Sequence, residues 1–404
     1  MLLLSPSPDR QDPDAARDLA VIAARLRAGG AELLRIEPSE TPALTGAQPT
    51  TTATTGGAAA ADQPVAARLT GARLTDFGRS LWHTALGTRA LGVLDCVVVG
   101  RADLIPVGML AAHLTGARRV PVLFHGTDMW TMRPHLRWLL RRDPLLYPVT
   151  TSSFGAGALC AVSVGAVLAP GLEQRWRDTL LAEAGRRRPL PPVPTVLSVF
   201  RLDEWEAKGL PALVEAVAEA RRVLGAVRLV VAGPGPAPGA LHELVAASEH
   251  TELHENPGDE ALARLYATAD LFALCTRTRT SPPVSGEAYG LALLEAQLAG
   301  CAVIGPARGG ARDAYRNGDT GWTPSDESPQ ALARVLLDLL ADRARLARAG
   351  RQAAEWASAC TDPRAHTRAV FNTLLGCEPV VPAPAEDVLA ASQPPRTTGT
   401  PAVR

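Results

Sequence analysis

The chain holds 404 residues, 47% hydrophobic and 20% charged, with 41 basic against 41 acidic side chains and a formal net charge of zero. That length suits two domains, each able to bury its own core, and the balanced charge gives no support for general nucleic-acid binding. No run of about 18 apolar residues signals a membrane span, the apolar opening is too short for a signal peptide, and the six scattered cysteines lack metal-ligand spacing, so a reducing cytoplasm is the expected setting.

In chain order, Met1–Ser5 predicts a strand, Asp14–Gly29 a helix with apolar residues at helical spacing, and Ala31–Ile36 a second strand. Thr, Ala, Gly and Pro dominate from about 45 to 67, the signature of an insertion outside the core. Helical sequence over Ser80–Leu91 precedes a strand at Leu94–Val99, a helix at Leu104–Leu114 and a strand at Val120–Phe124, which ends in His125-Gly126-Thr127-Asp128. The basic segment Met132–Arg142, with Trp138 among Arg133, Arg137, Arg141 and Arg142, fits acceptor recognition, a plain surface helix or, less well because of Pro134, contact with an anionic membrane. Short strands are expected at Thr150–Ser153 and Val167–Ala169.

The proline-rich Arg186–Pro194 reads as a linker, after which the strand–helix–strand pattern restarts. Strands are predicted over Thr195–Phe200, Val227–Ala232, Leu271–Cys275 and Cys301–Gly305, and helices over Leu210–Leu224, Glu260–Thr268, Pro329–Leu340 and Arg343–Ala357. Two such halves imply an α/β protein of two doubly wound domains, with ligands bound in a cleft beyond the carboxyl ends of the strands. Residues from 378 onward are rich in Pro, Ala and Thr and are expected to be disordered.

Two features concentrate chemistry. Lys208 is the only lysine among the 41 basic residues, which reflects either chance survival or a place that needs a compact ammonium rather than a planar fork. Ser285–Gly300 carries Glu287 and Glu295 around a loop-to-helix turn at Tyr289-Gly290-Leu291. A helix start offers N–H groups to a phosphate, and the carboxylates can accept bonds from sugar hydroxyls. Spacing alone leaves open a surface helix with ordinary glutamates.

Taken together with the ordered segments RLDEWEAKGL, VVAGPGP, DEALARLYATADLFAL, GEAYGLALLEAQLAG, GPARGG and NGDTGW, the second half resembles the retaining glycosyltransferases of the GT-B fold, two Rossmann-like domains facing a central cleft, and in particular family 4 (glycosyltransferase group 1). The first half matches more loosely, through His125-Gly126. The resemblance implies an acceptor-side domain at 1–190, a donor-side domain at 191–360, a terminal helix at 361–377 packing back on the first domain, and a tail at 378–404. It implies that Arg201 and Lys208 grip the diphosphate of a nucleotide-diphosphate sugar, that the backbone at Tyr289, Gly290 and Leu291 meets its distal phosphate, and that Glu295 receives the ribose hydroxyls. Glu287 and His125 would be the catalytic pair, approaching the donor sugar from opposite domains. Gly126, Asp128, Arg277 and Arg279 are possible substrate contacts; a core role for His125, a turn role for Asp128 and a solvated run for the two arginines stand as alternatives.

The implied activity is retaining transfer to a hydroxyl acceptor, either a small natural product or a cell-envelope glycan or lipid, with no metal or other cofactor. A non-catalytic partner protein on the same fold, or a sugar-nucleotide epimerase or hydrolase, are the competing readings. The chain departs from the family pattern where Phe200 replaces a glycine before Arg201, where Pro8-Asp9-Arg10-Gln11 replaces a Gly-Gly loop, and where Asp313 stands in place of the commoner glutamate.

Overall fold

A computed structural model describes residues 1–4, 13–36, 38–39, 69–70, 93–126, 128–186, 193–281 and 284–379. The insertion at 45–67, the helix expected over 80–91, the Pro8–Gln11 loop, most of the proline-rich linker and the tail from 380 lie outside the described residues.

The first sheet contains β1 (Leu2–Leu4), β2 (Leu34–Ile36), β3 (Val97–Val99), β4 (Val120–Phe124), β5 (Leu146–Thr150) and β6 (Ala166–Val167) in the order β2-β1-β3-β4-β5-β6. Its pairings are parallel, so helices must cover both faces. Alternate residues divide accordingly. Leu3, Val98, Leu123 and Val149 meet Leu19, Ile22 and Leu26 of α1 (Pro13–Ala28). Leu2, Leu4, Val97, Val99, Val122 and Phe124 meet α2 (Ile105–Thr115) and Leu136 and Leu140 of α3 (Pro134–Arg142). Strand β5 starts four residues before the expected Thr150–Ser153 strand, because Pro148 masks a run that nevertheless pairs in register with β4, Val122 opposite Pro148. Ser152 instead caps a short helix, α4 (Ser153–Leu159), accepting from the Gly155 N–H at 3.3 Å.

Helix α5 (Gln174–Gly185) departs from the expected division of the chain at 190. Its Trp176 and Leu180 pack with Leu262, Leu265 and Tyr266 in the core of the second sheet. An apolar stripe that faces the later sheet outweighs its position before the prolines, so packing assigns 174–185 to the second unit.

The second sheet contains β7 (Thr195–Val199), β8 (Arg228–Gly233), β9 (Thr251–Glu255), β10 (Leu271–Ala273), β11 (Ala302–Ile304) and β12 (Gly321–Trp322), ordered β9-β8-β7-β10-β11-β12. This is the 3-2-1-4-5-6 order of dinucleotide-binding folds, whose strand order reverses between the first and fourth strands, here β7 and β10. Helices α6 (Leu210–Leu224) and α10 (Pro329–Ala341) share one face through Leu213, Val217, Leu332 and Leu336. The other face carries α5, α8 (Asp259–Thr268) and α9 (Leu291–Leu298). The helix α7 (Gly239–Ala246) and strand β9 were not predicted from the sequence; β9 is an edge strand with no buried residue, which removes the apolar signal. Each fully buried Leu, Ile or Phe contributes roughly 1.5–3 kcal/mol.

After α11 (Arg343–Cys360) the chain returns to the first sheet. There α12 (Pro363–Val370) and the turn Phe371–Leu375 set Val370, Phe371 and Leu374 against Leu19 and Ile22. The Tyr147 hydroxyl donates to the Thr373 carbonyl at 2.8 Å, and His366, whose pKa burial lowers to about 4, faces the Ala169 carbonyl at 3.1 Å. Among the described residues, no helix is long and apolar enough to cross a membrane.

Candidate active site

A cleft of about 220 Å3 opens at the β7–β10 switch point. Arg201, Lys208, Glu287, Gly290 and Glu295 line it from the second unit, with Phe200 and Ala292. Trp176 of α5 lines it beside Glu295, and Arg17 of α1 reaches it from the first unit.

Backbone geometry brings the charged groups together. Gly209 has φ of +76°, and a Cβ on it would lie 2.1 Å from the Cys275 carbonyl oxygen. Only glycine lets the Lys208 loop pass this close to the end of β10. Lys208 Nζ consequently lies 3.3 Å from Glu287 Oε2, and the Thr276 hydroxyl donates to the same oxygen at 2.9 Å. Both charged side chains are largely buried, Lys208 17% and Glu287 14% exposed. Gly290, at φ +83°, turns the chain from the Glu287 loop into α9, so the start of that helix borders the cleft.

The cations are already engaged. Arg201 forks onto Asp203, Nη2 to Oδ2 at 2.9 Å and Nε to Oδ1 at 3.3 Å, which holds the Asp203 carboxyl below its usual range. Glu204 lies 3.6 Å from Arg201 Nε and 3.8 Å from Lys208 Nζ. An incoming anion has to compete with these carboxylates.

Glu295 is 6% exposed and doubly held: Trp176 Nε1 donates to Oε1 and the Tyr266 hydroxyl to Oε2, each at 2.9 Å. Burial, with the charge of Glu295 beside it, raises the Tyr266 pKa far above the usual phenol value. A carboxylate has about four acceptor positions, of which these two donors take one on each oxygen. The sequence reading missed Trp176, Thr276 and Arg17. Trp176 sits on the helix it did not expect, and nothing in the composition marks the other two.

The structure does not bring every expected residue to the cleft. Tyr289 is 5% exposed in the core of the second unit, where burial raises its phenol well above the usual value, and it does not line the cleft. Leu291 packs against the core. His125 is 8% exposed and is not among the residues lining the cleft; its Nδ1 faces Asp18 Oδ2 at 3.5 Å. Asp18, next to the cleft-lining Arg17, is buried, its carboxyl pushed up to about 7, and its Oδ1 has no hydrogen-bond partner among the described residues. Gly126, at φ +52°, leads into a one-turn helix at Asp128–Thr131, where the Asp128 N–H donates to the His125 carbonyl at 3.1 Å. Asp18 sets a carboxylate against the His125 ring. Arg277 and Arg279 stand on an extended ribbon, Arg279 and Ser285 exchanging backbone bonds of 2.8 and 3.0 Å, and neither lines the cleft. Trp138 is 59% exposed on α3, alongside the exposed Arg133, Arg137, Arg141 and Arg142. Among the described residues, no group of three or more His, Cys, Asp and Glu side chains could hold a metal ion.

Two parallel sheets, a chain that returns to the first after the second, and a switch-point cleft lined by charged residues define a two-domain GT-B glycosyltransferase. The family model for glycosyl transferases group 1 matches residues 193–342. The chain is 32% identical over 287 residues, 67% of its own length and 74% of the relative's, to the GDP-mannose-dependent alpha-(1-6)-phosphatidylinositol monomannoside mannosyltransferase of Mycobacterium tuberculosis. The Mycolicibacterium smegmatis protein of the same description is 30% identical with the same coverage of both chains. Among solved structures, Anabaena Alr3699/HepE in complex with UDP superposes with a TM-score of 0.67 at 15% identity, covering 93% of this chain and 100% of that one. The chain belongs to the group 1 glycosyl transferases, the GT-B family 4 type.

Proposed function

We propose that this glycosyltransferase moves mannose from GDP-mannose to a hydroxyl of a cell-envelope glycolipid, with retention of configuration and without a metal. The observation that carries the reading is the Lys208–Glu287–Thr276 cluster at the switch point, with Arg201 and Glu295 on the same wall. The GDP-mannose-dependent activity of the relatives supports the choice of donor and acceptor class, and their alpha-(1-6) linkage, formed from an α-linked donor, supports retention.

When the sugar–phosphate bond breaks, negative charge grows on the departing diphosphate. Lys208, Arg201 and the first N–H groups of α9 are aimed at that charge, which stabilises the transition state and removes the need for a divalent ion. The diphosphate draws Lys208 and Arg201 from Glu287, Asp203 and Glu204, and frees Glu287 to meet the sugar hydroxyls. Glu295, fixed by Trp176 and Tyr266, receives the ribose. The acceptor hydroxyl attacks on the face from which the diphosphate leaves, and the leaving phosphate takes its proton. The cleft is smaller than the ~300–1,000 Å3 of typical ligand sites, so its two walls part to admit the donor and close to exclude water.

The test is turnover of GDP-mannose and UDP-glucose by the full chain with a phosphatidylinositol mannoside acceptor. The expected result is a mannosylated lipid with an α linkage by NMR. A β linkage would refute retention, sugar release into water without transfer would favour a hydrolase, and loss of product on chelation would refute metal independence.

A further inference from the structure

The segment GPARGGARDAY after β11 carries a carboxylate that the transfer reading does not use, Asp313. It lies in the 3-10 turn Gly310–Ala314 of the second unit, yet its contacts are on the first. Asp313 Oδ2 accepts from the Ser153 N–H at 2.5 Å and Oδ1 from the Ser153 hydroxyl at 2.7 Å. Ser153 opens α4, so the aspartate satisfies a first-turn N–H that has no partner within its own helix. Charge-assisted bonds of this type are about twice as strong as neutral ones.

The same turn grips the loop that bears Glu287. The Gly310 N–H donates to the Glu287 carbonyl at 2.8 Å. A Cβ on Gly310 would fall 1.9 Å from the Ala288 carbonyl oxygen and 2.3 Å from the Ser152 hydroxyl, so three backbone segments from two domains meet with no room for a side chain. On the other flank of Glu287, the site of a Cβ on Gly286 lies 3.3 Å from the ring of Trp130, again from the first unit. The glutamate loop is thus bonded on one side by the Gly310 turn, which Ser152 of the first unit backs, and met on the other by Trp130 of the first unit.

We propose that Asp313 is a positioning residue that lets the acceptor-side domain set the Glu287 loop, holding that carboxylate in register when the domains are joined at Ser153. The inference rests on the reading of Glu287 as a donor-site group. It makes domain closure and the order of the donor site one event, because the turn that bonds Ser153 also bonds the Glu287 carbonyl.

The experiment is hydrogen exchange on the full chain, comparing wild type with Asp313→Ala, Asp313→Glu and Ser153→Ala, each checked by its melting curve. Asp313→Ala is expected to speed exchange over 284–290 by about tenfold and to leave 195–199 and 228–233 unchanged. Ser153→Ala should give a smaller increase, and Asp313→Glu, which keeps a carboxylate in reach, should stay near wild type. Unchanged exchange over 284–290 in Asp313→Ala, or an Asp313→Glu variant as fast as Asp313→Ala, would overturn the proposal. Should Asp313→Ala not fold, Ser153→Pro decides in its place, since proline at the first helical position removes both donors to Asp313 and unchanged exchange over 284–290 there contradicts the tie. Parallel titrations with GDP and UDP separate the two readings: no binding of either by wild type would sink the donor site while the exchange result still decided the clamp.

Discussion

The two walls of the cleft are built in opposite ways. On the second-unit wall, Lys208, Thr276 and Glu287 come from loops that follow the neighbouring strands β7 and β10, and their polar groups meet at 2.9 to 3.3 Å. On the first-unit side the polar groups sit one layer back, with His125 and Asp18 buried against each other at 3.5 Å and only the adjacent Arg17 reaching the cleft. A wall of half-buried charges that compete for one another at the edge of the cleft suits a ligand that arrives and departs with charge. A buried pair set back from the cleft suits a fixed support rather than a ligand contact.

Breaking the charged wall should have the largest effect. Lys208→Ala is expected to lower kcat/KM by about 100- to 1,000-fold, the cost of one transition-state contact to developing charge, measured as GDP release from GDP-mannose. Lys208→Arg should recover little of this, since a planar fork does not fit the space bounded by Thr276 and Glu287. Glu295→Gln removes the charge that Trp176 and Tyr266 hold, and should weaken nucleotide affinity by about tenfold or more, the scale of a hydrogen bond to a charged group. Titration with GDP reads it directly.

The buried pair sharpens the contrast through pH. The Asp18 carboxyl is raised from 3.8 to about 7 by burial, so the folded chain holds this proton more tightly than the unfolded chain does. The contribution is full below pH 3.8 and is lost as pH rises through about 7. Thermal melts of Asp18→Asn between pH 5 and 8 should therefore fall less steeply than those of wild type. An equal slope would show that Asp18 is not protonated in the fold. The smallest effect is expected from Arg277→Ala and Arg279→Ala, each within about twofold of wild-type kcat/KM, because both stand on the ribbon outside the cleft.

The same contrast governs what could be read from the residues. The second sheet was legible because its buried strands are continuous apolar runs and its loops carry glycines in a recognisable order. Lys208 stood out as the single lysine, and the structure puts it 3.3 Å from Glu287. Helix α5 escaped notice because its apolar stripe faces a core laid down later in the chain. Trp176 escaped with it, although its indole N–H donates to Glu295. The Asp18–His125 contact joins residues 107 positions apart, from 18 to 125, and no local spacing encodes such a pair. The link between Ser153 and Asp313 depends on how two independently folded units meet, which neither unit's pattern specifies.

The central claim is that the switch-point wall is a nucleoside-diphosphate site. Equilibrium titration of wild type, Lys208→Ala and Glu295→Gln with GDP and UDP tests it most directly. The account predicts saturable binding of at least one of the two by wild type, weakened by about tenfold or more in each variant. Binding of neither, or affinities in both variants equal to wild type, would contradict it.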